Sequence, residues 1–347
     1  MTITLRAKNP EDLLAAIPVT LGFEPQESIV MLTFGGATPL HARIDLPPRG
    51  DPDALHAVVG ALLDPCLLHA TPRVVFVLYG AGAVHCRQVA RALRREFEGE
   101  GIDVLECLRA DAGRWYSADG RRSGVPARGV PYDSDRHPFR AEAVMAGHVT
   151  LGSREELAAT LTADEEGTMA VEAVLGEARL LSAEELATLC AQHVDAGTVP
   201  TDVEAASALL TVRLGARRDA AWVPLTRDTA AGHVALWRDL VRRSPEALMP
   251  SAAAVLAFGA WLQGDGALAW CALDKCFSAE PGHSLGTLVA HMLSGALPPT
   301  AWEAMQSTLG DPTEPGLPDP PDLGRAPRGR SALRALPPDG DATWLAG

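Results

Sequence analysis

The run Val74-Val75-Phe76-Val77-Leu78-Tyr79 constrains the fold more than any other stretch. Its β-branched and aromatic residues, unbroken by a polar side chain, read as a strand buried on both faces. Such a strand needs a covering layer on either side of its sheet. Gly80 to Gly82 is then a turn, and Val89, Leu93 and Phe97 recur along one face of a helix. Asp103 to Arg109 reads as the next strand. A further helix starts at Asp51 or Asp53 and runs to about Leu68. The alternation over residues 52–109 predicts a right-handed crossover within a mixed sheet carrying helices on both faces.

The stretch before it fits the same sheet. Ile3 to Leu5 reads as a short strand. Asn9 can cap a helix that has Pro10 at its first position, Glu11 and Asp12 in its first turn, and Gly22 at its end. Ser28 to Phe34 and Leu40 to Leu46 form a hairpin across Gly35-Gly36. From Ser153 the pattern turns helical. Ser153-Arg154-Glu155-Glu156 and Ser182-Ala183-Glu184-Glu185 carry capping-box spacing. Helices follow over about 202–214, 228–242, 250–263, 267–279 and 285–293. The pair Ser251–Leu262 and Ala267–Ala279, joined by Gly264-Asp265-Gly266 and closed by Pro281, resembles one tetratricopeptide-type hairpin. Residues 310–347 hold eight of the 27 prolines and read as a disordered tail. The expected organisation is an α/β domain over 1–148, an all-α helical domain over 149–309, and that tail.

A formal charge of −14 argues against a general affinity for nucleic acid or anionic lipid. Only Lys8 and Lys275 of the 30 basic residues are lysine, as a GC-rich genome would produce, so single arginines carry little chemical information. The six cysteines form no C-x-x-C pair and lie at no zinc spacing, which fits a reduced cytosolic protein with neither metal nor cofactor. Met1 to Pro10 lacks the apolar core of a signal peptide, and no apolar run is long enough to span a bilayer.

No catalytic motif is present. Gly80 and Gly82 lack the third glycine of a dinucleotide loop and the Gly-Lys-Ser/Thr of a phosphate loop, so a plain strand-to-helix turn is expected there. His85-Cys86 opens a helix, where a thiol's pKa can fall, although a buried core cysteine is the commoner case. Gly113-Arg114-Trp115-Tyr116-Ser117 precedes a long Gly/Pro/Arg-rich loop to Pro138, and loops of that length are often functional.

Three groups of residues carry a family resemblance. The first is Asp12 to Pro18, Leu21-Gly22-Phe23-Glu24-Pro25, Glu27 to Val30 and Ala42 to Pro47. The second is Gly113 to Ser117 with Ala141 to Val144 and Ser153 to Leu157. The third runs from Ala260 to Pro281. Together they resemble an uncharacterised family common in high-GC Gram-positive bacteria, a domain of unknown function (DUF4192), over most of residues 2–305. Its members often carry cysteines in the loop after the aromatic segment, where this chain has Ser123 and Gly124. The resemblance implies the two-part architecture and a cytoplasmic bacterial setting, and it implies no activity.

The expected function is therefore a non-catalytic binding or scaffolding protein that meets a protein partner through its helical half. The alternative is an enzyme or small-ligand sensor with an anion-binding cleft between the α/β and helical parts. Its lining would be Arg43, Asp45, Arg114, Tyr116 and Arg154, with Glu24 and Glu27 as further candidates. The scaffold requires an exposed apolar groove on the helices. The sensor requires Arg114 and Tyr116 in one polar pocket at the carboxyl edge of the sheet.

Overall fold

The computed structural model describes residues 7–36, 40–145, 150–309 and 342–346, with 307–309 and 342–346 described at the level of the backbone. The strand expected at Ile3 to Leu5 and most of the tail lie outside them. Asn9 accepts a hydrogen bond from the Asp12 amide and starts α1 (Pro10–Leu21). Gly22 ends it at φ +77, a left-handed turn that an L side chain resists. The hairpin follows as β1 (Ser28–Phe34) and β2 (Leu40–Asp45), in antiparallel register from Ser28↔Asp45 to Leu32↔His41. Next come α2 (Pro52–Leu68), β3 (Arg73–Tyr79), α3 (Ala83–Gly99) and β4 (Asp103–Asp111).

β3 and β4 are parallel neighbours, as a strand–helix–strand unit demands, and every other pairing in the sheet is antiparallel. β5 (Arg114–Ser117) and β6 (Val130–Pro131) extend one side. β7 (Ala342–Ala346) lies antiparallel against β2 on the other, giving the order β6-β5-β4-β3-β1-β2-β7. Both faces of the sheet are covered. α2 and α3 take one, through the Cys66–Met31 sulfur contact at 3.7 Å and the edge-on pair Phe76–Phe97 at 5.0 Å. α1 takes the other, where Trp115 Nε1 donates to Glu11 at 2.9 Å.

Beyond β6 the elements among the described residues up to 309, apart from a single bridge of Leu151 to Phe23, are helices: α4 (Pro138–Met145), α5 (Arg154–Ala159), α6 (Glu165–Ala173), α7 (Ala183–Ala196), α8 (Asp202–Val212), α9 (Gly215–Trp222), α10 (Ala230–Arg242), α11 (Met249–Gln263), α12 (Gly266–Ala279), α13 (Ser284–Ser294) and α14 (Ala301–Leu309). The expected reciprocal cap at Ser182 and Glu185 is present. At α5, Ser153 caps the helix but Glu156 reaches back to the Gly152 amide instead of that of Ser153. One continuous apolar core joins the sheet to the helices.

α11 is the centre of the helical part. Every residue from Pro250 to Leu262 is buried, as expected of a helix whose one polar side chain in that stretch is Ser251. Phe258 sits among Trp222, Trp261 and Trp302, with ring centroids at 4.9, 5.4 and 4.9 Å. The hairpin of α11 and α12 is therefore present, but its first helix is enclosed and offers no groove to a partner.

Candidate functional site

The five residues expected to line one cleft fall into two groups. Arg43 of β2 pairs with Asp45 at 2.5 Å and donates to the Gln26 carbonyl at 3.3 Å. Its charge also reaches Glu155, which it helps hold below the usual carboxylate range, after the backbone and Ser153 hydrogen bonds that do most of this. Arg154 of α5 pairs with Asp274 of α12 at 2.7 Å. Arg43, Asp45 and Arg154 thus belong to one charged seam where the helical part meets β2.

Arg114 and Tyr116 lie on β5, four strand spacings and roughly 19 Å away across the sheet. Arg114 spends its guanidinium on two loop carbonyls, those of Arg128 at 2.6 Å and Gly129 at 3.1 Å. The ring of Tyr116 lies under the Arg109 guanidinium at 4.0 Å. These two residues fasten the 113–138 loop to the sheet, so a single cleft lined by all five is not built. Gly129, at φ +72, shows how tight the fastening is: a Cβ there would fall 2.6 Å from the Tyr116 ring and 2.9 Å from the Trp115 carbonyl. Gly129→Ala is expected to cost about 1–3 kcal/mol. Thermal denaturation and tryptic cleavage at Arg121, Arg122 and Arg128 check this; an unchanged midpoint and an uncut loop would refute it.

Other candidates are accounted for in the same way. Gly80 to Gly82 form the turn from β3 into α3, and the Glu27 carboxylate faces it, 3.4 Å from the Ala81 amide. Glu24 does not join Glu27 as an acid/base pair; it pairs with Arg140 at 3.0 Å. Burial pushes the Cys86 thiol up, which the Arg109 charge only partly opposes, so the helix start does not make a reactive thiolate. The hollow of about 300 Å³ beside Arg94 and Asp119 is lined by charges that neutralise one another: Arg94 with Asp119, and Arg122 with Glu106. Among the described residues no group of three or more His, Cys, Asp or Glu side chains could hold a metal ion, and no helix is long and apolar enough to cross a membrane.

A site with unspent polar capacity lies in the helical part, and sequence reasoning missed it. A cavity of about 370 Å³ is lined by Arg213, Arg218, Ser251, Glu280, His283 and Ser284, together with Gly215, Ala247 and Pro250. Three helices begin at its wall: α9 at Gly215, α11 at Met249-Pro250-Ser251, and α13 at Ser284. Neither α9 nor α11 has a side-chain cap. In α11 the Met249 amide is bonded to the Pro245 and Glu246 carbonyls and Pro250 has no amide hydrogen, so its first two positions offer no free donor, whereas the start of α9 keeps its partial positive charge at the wall.

His283 is 3% exposed and its tautomer follows from its partners. Its Nδ1 accepts the Gly286 amide at 3.1 Å as the cap of α13. The proton must then sit on Nε2, which donates to Ser251 Oγ at 3.1 Å. Burial, then the Arg218 charge, hold the His283 pKa below its ordinary value against the pull of Glu280, so the ring is neutral at pH 7. Ser251 is 6% exposed and its oxygen is used as an acceptor. Its hydroxyl hydrogen has no acceptor among the described residues and is available to the cavity. Arg218 donates through Nη1 to Ser284 at 3.1 Å, while its buried Nε has no partner. Arg213 and Glu280 are exposed at the rim. Both line the same cavity without forming an ion pair, so more than 4.0 Å separates their charged atoms.

The arrangement can hold an anion. It cannot activate Ser251 as a nucleophile, because the histidine nitrogen facing the hydroxyl already carries a proton and the other is committed to a backbone amide.

The model of one protein family, described as Domain of unknown function (DUF4192), matches residues 10–300, so the chain belongs to that family. No curated protein and no solved structure matches it.

Proposed function

We propose that this member of the DUF4192 family is a non-catalytic, cytoplasmic binding protein whose helical half takes up a small anion. The supporting observation is the cavity at which three helix starts, Arg213, Arg218 and the free hydroxyl of Ser251 converge. Its volume of about 370 Å³ falls at the small end of the range for ligand sites. Guanidinia, a hydroxyl and the start of a helix such as α9 are groups that recognise phosphate-like oxyanions. The sensor half of the original pair of expectations is thereby favoured, at a different place in the fold. A scaffold built on the α11–α12 hairpin has less support, because α11 is enclosed.

Calorimetric titration of the full chain with inorganic phosphate at low ionic strength tests this. Saturable one-to-one binding is expected. Arg213→Glu, at an exposed position outside the core, should weaken it at least tenfold, about 1.4 kcal/mol. Absence of saturable binding, or equal binding by the variant, would overturn the proposal.

A further inference from the structure

Resting on that reading, we infer that the ligand is a zwitterion: a small phosphomonoester whose tail carries an ammonium group, with the phosphoryl oxygens at the arginine end and the ammonium at Glu280. The cavity has two electrical ends. Arg213, Arg218 and the starts of α9, α11 and α13 make one end positive. The negative end is Glu280, which is also the residue that closes α12, where the last turn leaves carbonyl oxygens unsatisfied. A cation is favoured at a helix C-terminus for the same reason that an anion is favoured at a start.

Among the described residues Glu280 is the only acidic side chain lining the cavity, and it forms no salt bridge with any of them. Arg213 likewise forms none. Two opposite charges that share one small cavity but stay more than 4.0 Å apart leave room for a molecule that satisfies both. Asp219 of α9 lies beside this set, its Oδ1 accepting from Trp222 Nε1 at 2.9 Å and from Arg218 at 3.4 Å. It moderates the Arg218 charge but does not line the cavity, so Glu280 remains the acidic end.

The size and polarity of the wall agree. A bare phosphate would leave Glu280 unanswered and much of the cavity unfilled. Apart from Ala247 and Pro250 the lining is polar or glycine, so a large apolar tail has nothing to pack against. Ser251 supports the orientation independently of the helix starts. It is 6% exposed, its oxygen is held by His283, and its free hydroxyl hydrogen is a buried donor that a phosphoryl oxygen would accept from.

Three probes of similar charge at the phosphate end separate the possibilities: inorganic phosphate, monoethyl phosphate and phosphoethanolamine, each titrated calorimetrically into the full chain. The wild type should bind phosphoethanolamine at least tenfold more tightly than monoethyl phosphate. Glu280→Gln, at an exposed position, should remove that preference while leaving inorganic phosphate binding as tight or slightly tighter. Equal binding of the two esters by the wild type, or a preference that survives in Glu280→Gln, overturns the zwitterion assignment while the anion site stands. Failure of all three probes to bind the wild type overturns both.

Discussion

Phe258→Ala is expected to lower the unfolding free energy by about 3–5 kcal/mol, the range for emptying a fully buried aromatic site. Phe258 has no exposed surface and contacts Trp222 of α9, Trp261 of its own helix and Trp302 of α14. Collapse cannot easily refill the space. Trp302 is tethered through Nε1 to the Leu225 carbonyl at 2.8 Å, and Trp261 to that of Leu297 at 2.9 Å, so neither indole can swing inward without losing its hydrogen bond. Urea denaturation followed by tryptophan fluorescence reads the loss directly. A change under about 1 kcal/mol would mean that the aromatic cluster repacks.

Arg94→Ala is expected to cost a similar amount, about 3–5 kcal/mol, for a different reason. Arg94 links α3 to the strand side of its layer. Its Nε meets Asp119 at 2.6 Å, and its Nη1 meets the Val104 carbonyl at 2.6 Å and Glu98 at 2.9 Å. Truncation strands the Asp119 carboxylate, whose side chain is 4% exposed, without its counter-ion. The second variant, Arg94→Ala with Asp119→Ala, should recover more than half of the loss, because the main penalty is the abandoned charge and not the missing attraction. A double variant as unstable as the sum of the two singles would contradict that account.

The sheet was legible because its strands announce themselves by composition. Val74 to Tyr79 could be nothing but buried, and the Asn9-Pro10 and Gly22 signals bounded α1 to the residue. Much of the helical half was equally readable from Ser182, Asp265 and the apolar run of α11. α9 was not. Its sequence, Gly215 to Trp222, buries only Ala220, Ala221 and Trp222, too narrow a stripe to give a periodic signal. The cavity went unseen with it, since Arg213 and Arg218 flank the start of that helix.

Ser251 and His283 stand 32 positions apart, and nothing in either neighbourhood marks them as partners. A usable signal did exist: three helix starts each bring a polar residue, Arg218, Ser251 and Ser284, but pairing them requires the tertiary fold. Arg114 and Tyr116 misled for the opposite reason. An aromatic and arginine cluster beside a long loop has the chemistry of a binding site, and here the loop itself is what it binds.

The walls of the cavity come from segments between Arg213 and Ser284 that touch only after the helices around α11 have docked. No single local segment holds the whole lining, so the site belongs to the folded molecule and not to the unfolded chain. A ligand seated there acts on the stability of the folded molecule. Because such a ligand binds the native state alone, its occupancy would be recorded as a concentration-dependent rise in the unfolding midpoint.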